Sequence, residues 1–339
     1  MNSDVDPRRA RVHLAIRIAT VAVALWLFIT LLLMWWWDKE PAPFHVLQHT
    51  QQRAEAAGQR VVVGSATTAT LIHIAEVLED KRGGYIANDL LPPGLWLDNQ
   101  PNWELGAVLQ MRDMARALRE EFSRSQTQSV EDAALRDAEN YLAYKREKWW
   151  LPSFESGLAS ARERLQDYLL RLGDEREDNA QFYARADNLA SYLALVEKRL
   201  GSLSQRLSAS VGQPRLNTNL AGDPSATQST AQPGETIVKT PWLKIDDVFY
   251  EARGSTWALL HFLRAIELDF APVLRDKNAL VSLQQIIREL EEAQAPMSSP
   301  FVLNGSKYGL FANHSLVMAN YVSRANAALI DLRKLLASG

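Results

Sequence analysis

The chain has 339 residues, a formal net charge of −3 and no cysteine. The missing thiols exclude disulfide staples, thiolate metal sites and a cysteine nucleophile. Charge near balance, with basic residues clustered only at the N-terminus, leaves no phosphate-neutralising face, so nucleic acid is not an expected partner.

Residues 18–37, IATVAVALWLFITLLLMWWW, carry no charge and end in three tryptophans. At about 1.5 Å per residue they cover the roughly 30 Å hydrocarbon core of a bilayer. Trp35, Trp36 and Trp37 stand where an interfacial aromatic belt belongs, and the lipid bilayer is the first expected partner. Arg8, Arg9, Arg11 and Arg17 precede the span, while Asp38, Lys39 and Glu40 follow it. The positive-inside bias therefore predicts a cytoplasmic tail over 1–17, a signal anchor over 18–37 and a periplasmic remainder. A cleaved signal peptide is the competing reading, but its apolar core is shorter and its exit carries small residues, unlike WWWDKEPAPF.

The remainder has room for one large or two ordinary domains, 42–211 and 241–339. Between them, 212–240 is rich in Ser, Thr, Gln, Pro and Gly, and reads as a flexible linker or disordered loop. It either separates two subdomains or interrupts one bundle. The last segment offers only three helices, which favours packing on the first.

Apolar residues recur at alternating steps of four and three, the mark of helices that bury one stripe. Val108, Met111, Ala115, Leu118 and Phe122 form the first stripe, with Asn102 as its expected N-cap. Ser129, Glu131 and Asp132 open a shorter helix running to about Arg146. Phe154, Leu158, Ala161, Leu165, Tyr168 and Leu172 form another stripe, with Ser153 as N-cap. Phe182, Ala186, Leu189, Leu193, Val196, Leu200, Leu203 and Leu207 continue on the same rule. Gly173 and the polar run after it predict an antiparallel, coiled-coil-like hairpin, although the phase also permits one continuous helix. Further stripes run through Phe249–Phe270, Leu280–Leu290 and Met318–Leu336. The nearest thing to a strand is Arg60–Val63. The predicted fold class is all-α: one transmembrane helix, then an antiparallel helical bundle.

One segment departs from this pattern. GGYIANDLLPPGLWLDNQPNWE, residues 83–104, is a long loop rich in Trp, Asn, Asp, Pro and Gly. Long loops in compact domains are often functional. Tyr85, Asn88, Asp89, Trp96, Asp98, Asn99, Trp103 and Glu104 are accordingly the candidate contacts for a ligand or partner. A sugar or peptide of the cell wall would suit that inventory of stacking rings and hydrogen-bonding groups. The same residue types also arise from a loop pinned on its own bundle, with indoles in the core and Asx side chains in turns.

No catalytic set emerges. Phe154-Glu155-Ser156-Gly157 superficially resembles the Glu-Ser pair of lytic transglycosylases. The other signatures of those enzymes are absent, and an acid in the first turn of a helix needs no catalytic role. His45 and His49 are spaced i, i+4, but lack the glutamate of a zinc protease pattern. His73, His261 and His314 stand alone, and Asn313-His314-Ser315 has no companion acid. Neither a metal nor a cofactor is expected.

TTATLIHIAEVLEDKRGGYIANDLLPPGLWLDNQPNWE (67–104), STWALLHFLRAIELDF (255–270) and FVLNGSKYGLFANHSLVMANYVSRANAAL (301–329) resemble an uncharacterised family of Gram-negative bacteria, domain of unknown function 2333. The resemblance covers nearly the whole chain, least clearly 212–240. It implies an inner-membrane protein of proteobacteria and supplies no catalytic residues. The leading expectation is a non-enzymatic envelope scaffold or adaptor that meets another envelope protein or a second copy through its helical faces. A periplasmic glycan-binding or glycan-modifying protein using Trp96, Trp103, Asp98 and Glu104 is the rival. A sensor is a third possibility, but a tail of about 17 residues is too short for an effector domain.

Overall fold

The computed structural model describes residues 7–125, 130–174, 179–216, 235–306 and 309–338. The chain is all-α. Helix α1 (Pro7–Trp37) starts well before the predicted span, so Arg8, Arg11 and Arg17 lie on the helix itself. From Arg11 to Trp37 it is long and apolar enough to cross a membrane. The bundle then comprises α2 (Val46–Ala56), α3 (Ser65–Asp80), α4 (Asn99–Ala117), α5 (Ala133–Leu142), α6 (Phe154–Leu172), α7 (Ala186–Ser208), α8 (Ile245–Asp269), α9 (Ala271–Asp276), α10 (Leu280–Ala293) and α11 (His314–Ala337).

Helix α8 is the axis of the bundle. It packs on α4, α3 and α10, and most of its residues are buried, beyond the single stripe legible in the sequence. The α4–α8 crossing is close because two glycines face it. A Cβ at Gly106 would lie 2.0 Å from the Glu251 carbonyl oxygen, and one at Gly254 would lie 1.8 Å from the Trp103 carbonyl oxygen. Backbones that approach this tightly exclude any side chain at the contact. Trp103 and Trp257 fill the space beside it, ring centroids 5.1 Å apart, and Gln110 Nε2 donates to Ser255 Oγ at 2.8 Å.

The stripes of α6 and α7 are buried from Phe154 to Tyr168 and from Leu189 to Leu207, with Leu172, Phe182 and Ala186 partly covered, but they are not packed against each other. Helix α6 packs on α5 and α3, while α7 packs on α11. The expected coiled-coil-like hairpin and the continuous helix are both replaced by two helices in different layers. A periodic stripe reports that a face is covered; it carries no label for the partner. Ser153 caps α6 as expected, accepting from Ser156 N–H at 3.3 Å. Asp132 caps α5, whereas Ser129 and the polar run 175–178 lie outside the described residues. Helix α4 begins at Asn99, one turn before the expected cap, so Asn102 is a first-turn residue and not the N-cap.

Helix α3 has no stripe because Ser65–Ile72 are buried on every side. Its N-terminus is capped from 202 residues away: Asp269, at the end of α8, accepts from Thr67 N–H and Oγ1, both at 2.7 Å. Orphan N–H groups at a helix start can be satisfied by any acceptor, local or distant. Residues 60–63 form no strand. The two ends of 212–240 do: Gln213–Leu216 pairs antiparallel with Glu235–Val238, with 217–234 outside the described residues. Residues 241–339 pack on 42–211 through α4–α8 and α7–α11.

Candidate functional site

The loop from α3 to α4 is organised around one buried carboxylate. Gly83 and Gly84 (φ 81° and 70°) turn the chain after α3, and the Trp37 ring occupies the space a Cβ at Gly83 would need. Glu104, in the second turn of α4, reaches back to this turn. It accepts from the N–H groups of Ile86 and Ala87, each at 2.8 Å, and pairs with Lys81 Nζ at 2.7 Å. Burial pushes the Glu104 carboxyl up, while Lys81 and the two N–H donors favour its charged form. A buried acid paired in this way fastens the loop to α4.

The neighbouring side chains are committed as well. Tyr85 is buried against Phe154, centroids 4.6 Å apart. Asn88 donates to the Lys148 carbonyl (3.1 Å) and to Glu155 Oε2 (2.7 Å), which gives Glu155 a structural partner in the cleft that both residues line with Asp89 and Trp149. Asp89 lies over Gly94, with its Oδ2 1.8 Å from where a Cβ would sit, and desolvation raises its carboxyl. Asn99 donates to Asp38 Oδ2 at 3.3 Å, and Asn102 donates to Asp247 Oδ1 at 2.9 Å. Burial beside these groups lifts Asp38 to about 6, against the pull of the Asn99 hydrogen bond.

Four of the eight candidate contacts are therefore interior: Tyr85, Asn88, Trp103 and Glu104. Tyr85, Trp103 and Glu104 thus offer little or no surface to a ligand, while Asn88 lines a cleft with Asp89 and Glu155. Asp89 and Asn99 are half-buried, and Asp98 is exposed. Trp96 is 45% exposed, and its ring sits edge-on to Trp26 of α1 at 5.8 Å. Its ring partner is thus on α1. Residue type misleads here because an indole serves a core, a lipid interface or a ligand equally well.

A second cluster joins residues that the sequence leaves apart. His73 and Glu76 of α3 meet His49 of α2, with donor atoms all within 4.8 Å of one another. His73 thus does not stand alone; His45, the expected companion of His49, is exposed. The spacings His49–Arg53 and His73–Glu76 (i, i+4 and i, i+3) were the available signal. Two imidazoles and a carboxylate are a donor set that zinc accepts. Arg53 Nη2, however, already lies 2.6 and 2.7 Å from the two Glu76 oxygens, and the imidazoles are tilted face to face at 3.7 Å. A dication would have to displace the guanidinium. Arg53 also donates to Gln166 Oε1 at 3.0 Å, so the cluster ties α2, α3 and α6 together. Burial pushes Glu76 up, but hydrogen bonds from His73 and Arg53 outweigh it and hold the carboxyl at about 2. Desolvation, with His73 and Arg53 alongside, lowers His49 to about 4.

A third set fixes the segment that leaves α1. Glu40 receives Arg253 Nε at 3.0 and 3.1 Å, while Arg253 Nη1 donates to the Ala293 and Ala295 carbonyls at 2.9 Å each. Phe44 N–H donates to His261 Nε2 (3.0 Å), and its ring stacks on that imidazole at 3.9 Å. His261 Nδ1 lies 2.7 Å from the Trp257 carbonyl, and burial lowers this histidine to about 3. The neutral ring is thus used on both nitrogens and has none free for a ligand.

A family model described as an uncharacterized protein conserved in bacteria matches residues 10–339. No curated protein and no solved structure matches the chain.

Proposed function

Since the chain belongs to that bacterial family, DUF2333, which names no reaction, we propose its role from the geometry: a membrane-anchored scaffold or adaptor of the cell envelope. In this reading α1 is a single-pass anchor in the inner membrane of a proteobacterium, the N-terminal arginines are cytoplasmic, and the bundle stands in the periplasm. The arginines before the span and the acids after it support that orientation.

The observation that carries the reading is the fixed joint between anchor and bundle. Asp38, Glu40 and Phe44 are each bonded to the bundle within seven residues of Trp37. On α1 itself, Thr30 is buried, and Leu33, Met34 and Trp37 are partly covered on the same face. A flexible tether would let the domain search; this joint holds it in one pose and at one height above the bilayer. Such a pose suits a protein that presents a face to a neighbour in the same membrane. The glycan-directed alternative has less support, because Trp103 and Glu104 are interior and Trp96 leans on α1, which leaves Asp98 as its exposed residue without such a role.

Cross-linking in intact cells tests this, followed by detergent extraction, pull-down and identification of the co-purified chains. A recurrent envelope partner is expected, and its cross-link is lost when a Gly/Ser spacer of about ten residues is inserted after Lys39. A cross-link that survives the spacer, or retention on purified peptidoglycan with no protein partner, would overturn the proposal.

A further inference from the structure

The loop between α3 and α4 has another property. Residues 90–97, LLPPGLWL, contain no polar side chain, and Asp89 and Asp98 close them off at each end. Leu91 is 76% exposed, and Leu90, Leu95 and Trp96 are exposed too. Solvated loops rarely present four large apolar groups together.

Their place along the anchor explains why. Trp96 touches Trp26, which lies eleven residues before Trp37, or about 16 Å down the helix axis. The stretch from Ile18 to Leu25 is too short to span a bilayer by itself: at about 1.5 Å per residue it reaches roughly 12 Å of the 30 Å required. Moving the span toward the N-terminus would bury Arg8, Arg9, Arg11 and Arg17, each costing about 2.5–3.5 kcal/mol or more at the bilayer centre. If α1 spans the membrane, the part of it against Trp96 is therefore within the hydrocarbon.

Part of the loop's backbone suits that setting: three of its six N–H groups are bonded within the loop, two positions are proline, and Pro93 and Gly94 are buried. Irregular chain at membrane depth is tolerated where protein covers the backbone and its N–H groups are satisfied or absent. Pro92 and Pro93 have none. Leu95 N–H donates to the Leu91 carbonyl (3.1 Å), Trp96 N–H to Pro93 (3.0 Å) and Leu97 N–H to Gly94 (3.0 Å). Around the exit of the anchor further exposed apolar groups gather at the level of the tryptophan belt. Trp149 shares a cleft with Trp37, Leu90 and Leu91, its polar side formed by Asn88, Asp89 and Glu155, and Trp150 and Leu151 follow Trp149, also exposed.

We infer that residues 90–97 are a re-entrant wedge lying among lipid acyl chains beside α1, with Trp149, Trp150 and Leu151 resting at the interface. The inference depends on the reading of α1 as a membrane span and goes beyond it: the bundle itself enters the bilayer.

The absence of native cysteine makes the test direct. Full-length Leu95→Cys and Leu91→Cys variants, each carrying an environment-sensitive fluorophore, are reconstituted in phosphatidylcholine vesicles with doxyl-labelled acyl chains. Val23→Cys within α1 is the buried reference. Val130→Cys is the aqueous one, since Val130 adjoins Glu131, which pairs with Arg119 beyond the far end of α4. Acyl-chain quenching is expected to exceed that at position 130 by about threefold or more at both 91 and 95, and to be weaker at 91, beside Trp37, than at 95. Quenching at 91 and 95 like that at 130, with 23 quenched, overturns the wedge and leaves the anchor standing. Failure to quench position 23 overturns both. Protection of 91 and 95 from both doxyl lipid and aqueous iodide would mean that protein, such as a second copy, covers the loop, and would also overturn the lipid contact.

Discussion

Trp96 and Trp103 stand seven residues apart in one loop-to-helix segment and live in opposite surroundings. Trp103 has no exposed surface and packs on Trp257 beside the α4–α8 glycine contact. Trp96 is nearly half exposed and leans on α1. The difference is one of support. Trp103 follows the start of α4 and is carried into the bundle by a helix, whereas Trp96 sits at the end of a single turn outside it. Identical chemistry thus fills the core at one position and leans on α1 at the other.

That contrast can be broken most sharply by truncation. Trp103→Ala should destabilise the protein by about 3–5 kcal/mol through the cavity it leaves, measured by thermal or denaturant unfolding in detergent. Glu104→Ala should cost a similar amount, about 3–5 kcal/mol, because it strands Lys81 in the interior; Lys81→Met in the same background should recover part of the loss. Gly106→Ala tests the close approach of α4 to α8 and should cost about 1–3 kcal/mol through overpacking, with near-ultraviolet circular dichroism reporting the displaced tryptophans.

Acid sensitivity comes next in size. His49 and His261 bind protons less readily folded, at about 4 and about 3, than in the unfolded chain, near the ordinary histidine value of 6.5. Their contribution to stability is complete above pH 6.5 and is lost as pH falls through 4 to 3. Asp38 runs the other way: its folded value of about 6 makes stability fall as pH rises from 3.8 to 6. His49→Gln should flatten the acid-side slope of stability against pH, and Asp38→Asn should steepen it. Each effect is at most about 1.4 kcal/mol per pH unit, and smaller for half-exposed His49, where solvent screens the charge. The smallest effect belongs to Trp96→Ala. In detergent it should change stability by less than about 1 kcal/mol, and a loss as large as that of Trp103→Ala would erase the distinction between the two tryptophans.

Local physics set much of this molecule in a form the sequence displays. Twenty uncharged residues between arginines and three tryptophans make α1 long and apolar enough to cross a membrane, a property of length and composition alone. Half-buried helices such as α6, α7 and α11 declare themselves through stripes, and every stripe residue of α11 from Met318 to Leu336 is buried. Ser153 was legible as a cap because its acceptor lies three residues away from the donor it serves.

Tertiary structure decided the rest. Helix α3 has no visible period because it is covered on all sides, and its cap arrives from Asp269. The partners of α6 and α7 depended on which layers α5, α3 and α11 occupy, information that a stripe does not contain. The His49–His73–Glu76 cluster exists only because α2 lies against α3. In segment 83–104 the sequence determined which side chains were available, and the fold determined their surroundings. Burial is a property of what stands opposite a residue, so Trp103 met α8 and Trp96 met the anchor.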